Sequence, residues 1–331
     1  MTGTIAWIRI TDSLDTCALV FAVVSAIVLF ACAIPPSFHE FALLGYIDFV
    51  SIIVAIGVTM IATGIRAHQS AGGLGGVDWS LWPPADISFS SAFLSVTNIV
   101  FAYSFAICQF SFMDELHTVT DFPKAIYSLG IIEIVIYTLT GAIIYAFVGS
   151  DVQSPALLSA GFTMSRIVFG LALPVIFISG SINSTVSARY IVKTLFKEGS
   201  DIYYTTGKAG WAIWLFILVV QTIIAFVVAE AIPFFGDLLG IISALFSSGF
   251  SFYFPALFWF MLIKEGPWYR GWRNICLSLL NGLCFVVGIV VLGAGTYASV
   301  QDIINNYNSG TVRSPFTCNS AQVSGIVISE L

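Results

Sequence analysis

The sequence predicts an all-α polytopic membrane protein with eight transmembrane helices, on three observations. Charged residues make up 9% of the 331 and apolar residues 58%, where soluble domains carry about 25% charged. The mean hydropathy is +0.96. Apolar runs of the roughly 20 residues needed to cross a bilayer follow one another closely. The expected organisation is an external segment at 1–13, one membrane domain at 14–297 and a polar external tail at 298–331.

The first span is expected at Leu14 to Ile34, stopped by Pro35-Pro36. Met1 to Asp15 is polar and unlike a cleaved signal peptide, so the first helix is retained. The second span is Tyr46 to Ile65. The loop Ala67 to Phe89 is glycine-rich, but no Gly-Lys-Ser/Thr follows its glycines, so it reads as a flexible connection rather than a phosphate cradle. The third span, Ser90 to Leu116, runs to 27 residues and is interrupted by Asn98, Ser104 and Gln109. Lipid rejects such groups unless something polar lies beside them. The fourth span, Ala125 to Val148, is capped by Asp121 with Pro123. The fifth, Leu157 to Leu195, follows Ser154-Pro155 and exceeds a bilayer's thickness, so its end, Ala188 to Leu195, is expected to project into water. Ala209 to Glu230, Gly236 to Ile263 and Arg273 to Tyr297 complete the set.

Lys124, Arg189, Lys193, Lys197, Lys208, Lys264, Arg270 and Arg273 fall on one side of these spans, against Arg9, Arg66, Arg166 and Arg313 on the other. The richer side is cytoplasmic by the positive-inside rule, which places both termini outside. Trp211, Trp214, Trp268 and Trp272 read as inner interface anchors, and Trp79 and Trp82 as outer ones. Cysteine spacing suggests neither a disulfide framework nor a zinc site. The net charge of −6 speaks against a nucleic-acid partner. With no nucleotide loop, no Gly-x-Ser-x-Gly and no His-Glu-x-x-His, ATP-driven transport and intramembrane hydrolysis are disfavoured. The chain reads as a non-enzyme without cofactors, moving a small solute passively or with an ion.

Four groups could carry that chemistry. Phe101, Ala102, Tyr103, Ser104 and Phe105 lie at the midpoint of the third span, where transporters unwind a helix to face a substrate, although aromatic and small residues there also suit ordinary packing. Glu133 is the one carboxylate well inside a span, and it suits either proton coupling or an interhelical hydrogen bond. Ser181, Ser184 and Thr185 share a helix face and offer hard oxygens for a sodium ion, or hydroxyls bonded back to their own helix. Asp114 and Glu115 end the third span and Lys124 opens the fourth, as a cytoplasmic gate or as a solvated loop.

Phe101-Ala102-Tyr103, Asp121-Phe122-Pro123-Lys124-Ala125, Ser154-Pro155-Ala156-Leu157 and Ile232-Pro233-Phe234-Phe235 occur in one order and register. With these motifs the chain resembles the transmembrane domain of the amino acid/auxin permease family, most like its fungal neutral amino acid branch, over roughly Leu14 to Tyr297. The resemblance implies a partial leucine-transporter-like inverted-repeat fold containing the family's fourth to eleventh helices. It also implies ion-coupled transport of amino acids, neutral ones by the branch, by alternating access, with H+ or Na+ as the coupling ion. Phe101, Tyr103 and Ser104 would face the substrate. Ser104 departs from the family, which usually has glycine there. The family's first three helices have no counterpart in these residues, so a truncated, non-transporting membrane protein is the alternative. The expected partners are an amino acid, the lipid bilayer and either a complementing subunit or the missing N-terminal helices. The location is the plasma or vacuolar membrane.

Overall fold

The computed structural model describes residues 2–11, 17–36, 41–70, 72–107, 109–114, 116–232, 235–267, 269, 271–308 and 316, and no strand occurs among them. The helices are α1 (Thr2–Thr11), α2 (Ala18–Ala33), α3 (Phe41–Gln69), α4 (Phe89–Ala102), α5 (Gln109–Asp114), α6 (Phe122–Val148), α7 (Phe162–Leu195), α8 (Gly207–Ala231), α9 (Phe235–Ile242), α10 (Phe254–Phe258) and α11 (Trp272–Asn308). Six helical stretches are long and apolar enough to cross a membrane; α2 and α4 are apolar but shorter. The first expected span is thus a 16-residue helix and the third ends early, at Ala102. The eighth runs on to Asn308 instead of stopping at Tyr297.

Two compact units divide the chain: 1–81, 127–233 and 312–331 form one, and 82–126 with 234–311 form the other. In the first unit α7 is central, with α1, α2, α3 and α8 packed on it. Its apolar residues run all round its circumference, as in a helix that crosses a membrane. Val168 and Ala172 meet Ala55 of α3, Phe169 meets Ile5 and Ala6 of α1, and Ala188 and Val192 meet Ala33 of α2 and Trp214 and Leu218 of α8.

Several sequence expectations change here. Residues 2–11, expected outside the membrane domain, form a helix because Ile5, Ala6 and Ile8 recur at helical spacing and bury one face. α7 begins at Phe162, since Ala156–Ala160 forms a separate 3-10 turn whose Ser159 carbonyl accepts from Arg66 Nη1 at 2.8 Å. The end of α7 does not simply project into water: Ala188 and Val192 are buried, while Tyr190 and Leu195 on the other face are exposed. Trp214 is not an interface anchor. It is 1% exposed, and its indole N–H donates to the Ile34 carbonyl at the end of α2 at 2.8 Å, so the ring's polar edge is satisfied inside. Cys17 is disulfide-bonded, contrary to the spacing argument, and its partner lies outside the described residues. Trp268, Arg270, Cys108, Cys318, Pro233 and Phe234 also lie outside them.

The glycine-rich loop carries a single 3-10 turn, Gly73–Gly76. Beyond it the chain is tied down: the Tyr145 hydroxyl donates to the Ser80 carbonyl at 2.9 Å, and Ser150 N donates to the Asp78 carbonyl at 2.9 Å. Elsewhere α6 has no extensive helical neighbour, and Tyr127, Ile131, Ile134, Val135 and Leu139 are exposed along it.

In the second unit α11 packs against α4, α9 and the segments that follow α9. Those segments are unusual. Ser243–Ser247, Gly249–Tyr253 and Trp259–Ile263 are π-helical, with only α10 between the second and third. Widened turns of this kind are rare and are frequent at functional sites.

Candidate functional site: an interrupted helix against a serine-lined π segment

α4 starts where Ser88 accepts the Ser91 amide on its hydroxyl at 3.1 Å, leaving one fewer orphan donor in the first turn. It stops at Tyr103, whose φ of −97° and ψ of 24° leave the helical basin. Ser104–Ile107 then form a 3-10 turn, and α5 resumes at Gln109. The interruption falls within the Phe101 to Phe105 stretch, which the sequence left open between an unwound segment and ordinary packing. No glycine or proline causes it. The 3-10 turn instead packs on the π-helical segments 243–247 and 249–253, so tertiary contact fixes the break.

The opposing surface is polar. Ser243, Ser247 and Ser251 recur every four residues, and the first two are fully buried. Their hydroxyls, with those of Ser299 on α11 and the Asn98 carbonyl oxygen on α4, have no hydrogen-bond partner. Ser248 next to them does bond back, to the Ala244 carbonyl at 2.7 Å, as isolated helical serines do. A buried polar group left unpaired costs about 1–3 kcal/mol. Several at one place mark where a polar guest or water gains most.

Close helix approach builds this surface. A Cβ on Gly240 would lie 2.3 Å from Leu94 Cδ1 of α4 and 2.8 Å from Ser299 Oγ of α11. A Cβ on Gly288 would come 3.0 Å from the backbone N of Tyr253. Glycines let helices meet at backbone distance where no hydrophobic force drives them together.

The other expected residues divide as follows. Glu133 lies on α6 with one carboxylate oxygen unpartnered, and α6 does not pack extensively on α7, so Glu133 is not gathered with Ser181, Ser184 and Thr185. Ser181 and Thr185 are fully buried. The Ser181 hydroxyl donates to the Phe177 carbonyl at 2.5 Å and Thr185 to the Ala33 carbonyl at 3.5 Å, while the Ser184 carbonyl accepts from Gln221 Nε2 at 2.8 Å. Those hydroxyl protons are occupied. Glu115 and the Asp114 side chain lie outside the described residues. Lys124 does not wait for a distant carboxylate: its ammonium is 2.7 Å from Asp121 Oδ1, one turn away. Asp121 thereby holds Lys124 rather than capping α6.

Glu133 is also not the sole intramembrane carboxylate. α3 begins at Phe41, five residues before the expected start, which carries Asp48 deeper; Ser179 Oγ donates to its two oxygens at 3.1 and 3.3 Å. Sequence reasoning missed Asp48 because it stood at the edge of the expected span. The serines of α9 to α11 were missed as ordinary span residues, although the spacing of Ser243, Ser247 and Ser251 was there to see. An apolar groove of about 240 Å³ between α2 and α8, lined by Val23, Ile27, Phe30, Val219, Ile223 and Phe226, offers a polar solute no handle.

The chain is 57% identical over 319 residues to an "N amino acid transport system protein" of Neurospora crassa, covering 96% of this chain and 67% of the relative. It is 28% identical over 313 residues to a "Transmembrane transporter" of Fusarium pseudograminearum, covering 94% and 65%. It is 24% identical over 229 residues to "Amino acid permease 2" of Arabidopsis thaliana, covering 63% and 46%. The chain thus spans about two thirds of the length of its fungal relatives. No solved structure matches it. The model of the transmembrane amino acid transporter proteins matches residues 1–301. With six long apolar helices beside that match, the chain is an integral membrane protein belonging to the transmembrane amino acid transporter family.

Proposed function

We propose that the protein moves amino acids, neutral ones first, across a membrane by alternating access coupled to a proton or sodium ion. The architecture we assign to it is a leucine-transporter-like inverted repeat in which α2 and the interrupted α4–α5 count as crossings, making eight. The observation that carries this reading is the break at Tyr103 inside an apolar stretch, set against buried hydroxyls without partners. Broken helices in transporters expose backbone groups to the charged ends of small solutes. Here Phe101, Tyr103 and Ser104 would supply rings and a hydroxyl beside the interrupted helix. The words "amino acid transport" in the name of the Neurospora relative support the substrate class. Ser181, Ser184 and Thr185 retain lone pairs for an ion. We assign the inner gate to Asp114, Glu115 and Lys124, whose ammonium would leave Asp121 when the gate closes.

Tyr103→Ala tests the pocket. Purified into proteoliposomes, the variant is expected to lose at least about tenfold in kcat/KM for amino acid uptake, roughly 1.4 kcal/mol, with membrane insertion intact. Uptake with unchanged affinity and rate overturns the assignment.

A further inference from the structure

We propose that Asp48 of α3 is the proton-binding carboxylate of the first unit, with Ser179 of α7 positioning it. This rests on the transport reading above and names the ion and the group that takes it up.

Three facts converge on this pair. Asp48 is the eighth residue of α3, about 10 Å along the axis, and it lies within a stretch apolar enough to span a bilayer. A carboxylate in such a place is rare and has a functional role by default. Ser179 is the eighteenth of the 34 residues of α7, so Asp48 is held against the middle of the most heavily packed helix of the unit. Among the described residues its oxygens receive one hydroxyl, at 3.1 and 3.3 Å, and no cation.

The charges on every element packed against α3 lie elsewhere. On α7, Arg166 donates to the Ile10 carbonyl, thirteen residues from Ser179, and Arg189 and Lys193 lie ten and fourteen residues beyond it. At about 1.5 Å per residue these positions are some 15 to 20 Å away along the axis. The 3-10 turns Ala156–Ala160 and Gly73–Gly76 carry no ionisable side chain. On α3 itself, Arg66 is tied to the Ser159 carbonyl and His68 stands in the last turn. Among the described residues Asp48 therefore has no counter-charge, and a proton is the cation that can neutralise it without further ligands. A metal ion would need several oxygens, and Asp48 and Ser179 supply too few.

Both residues are half-buried, and Asn183, exposed on the next turn of α7, donates its side-chain amide to the Ser179 carbonyl at 2.9 Å. The step balances simply. The carboxylate takes a proton from water on one side, an O–H bond forms and the site becomes neutral; on the other side the O–H bond breaks and the proton returns to water. Ser179 donates to the charged form and, through its lone pairs, accepts from the acid form. Glu133 on α6 differs from Asp48 in that one of its carboxylate oxygens has no partner among the described residues, whereas Ser179 donates to both oxygens of Asp48.

The test is accumulation in proteoliposomes clamped at zero membrane potential, with an inward gradient of one pH unit and labelled neutral amino acids. One coupled proton is expected to give about tenfold accumulation at the plateau. Asp48→Asn is expected to bring that ratio to about one, and Asp48→Glu to retain most of it. Ser179→Ala is expected to keep accumulation but move its pH profile, because the carboxyl group loses the hydroxyl that positions it. Asparagine and glutamate variants that both accumulate like the parent, or both fail to, overturn the assignment. So does an unmoved profile in Ser179→Ala. A parent protein that exchanges no amino acid overturns the transport reading instead, and is seen before any variant is made.

Discussion

At the scale of single residues, the polar groups of this protein fall into two classes. Hydroxyls such as Thr59, Thr63 and Ser181 donate to carbonyls three or four residues back and are closed to other partners. Ser243, Ser247, Ser299 and Asn98 retain unused capacity. Ser247→Ala removes a buried hydroxyl that bonds to nothing, so thermal unfolding in detergent is expected to change by less than about 1 kcal/mol or to favour the variant. A fall in amino acid uptake without a fall in stability would assign that hydroxyl to the solute. Trp214→Phe is expected to cost about 1–3 kcal/mol in the same assay, because the Ile34 carbonyl loses its donor in a closed site. Neither class was readable in the sequence. A serine in an apolar run looks the same whether it bonds to its own helix or to nothing, and a tryptophan three residues after Trp211 looks like a second interface anchor until α2 ends beneath it.

At the scale of elements, boundaries followed the apolar pattern where one helix filled one apolar run. α6 and α8 lie within three residues of expectation at each end. The pattern misled where hydrogen-bond register changes without a change in side-chain character. Nothing in Ser243 to Ile263 distinguishes π from α turns by composition, so three π segments were hidden inside one expected helix. The break after Ala102 was legible through Asn98, Ser104 and Gln109, yet its cause was not, since it lies in the packing of 104–107 on segments some 140 residues later. Gly240→Ala tests that packing: the added methyl overlaps Leu94 and crowds Ser299, and is expected to destabilise the second unit by about 1–3 kcal/mol in thermal unfolding.

For the whole molecule, topology follows from how many times the chain crosses. Counting α4–α5 as one crossing, the connection holding Ser80 and the connection holding Ser200 are separated by three: α4–α5, α6 and α7. In a background without free thiols, Ser80→Cys and Ser200→Cys are therefore expected to react with an impermeant maleimide from opposite faces of the membrane. Labelling from one face would remove α4–α5 as a crossing, and with it the eight-helix count. The fold class itself was the most legible property, because 9% charge over 331 residues leaves no soluble solution. The arrangement around α7 was the least legible, because its apolar residues give no preferred face.

On the transport reading proposed above, Ser104 gives the interruption of α4 a consequence for turnover. A hinge made by glycine bends because its backbone is free to, whereas here contacts with the π-helical segments hold the bend and serine has less backbone freedom than glycine to leave it. Restoring backbone freedom with Ser104→Gly would exchange selectivity for speed: a pocket that reshapes faster, holds each solute less firmly and discriminates less among side chains. Measured as a higher maximal rate with a higher KM, that exchange would make position 104 the setting of a transport clock.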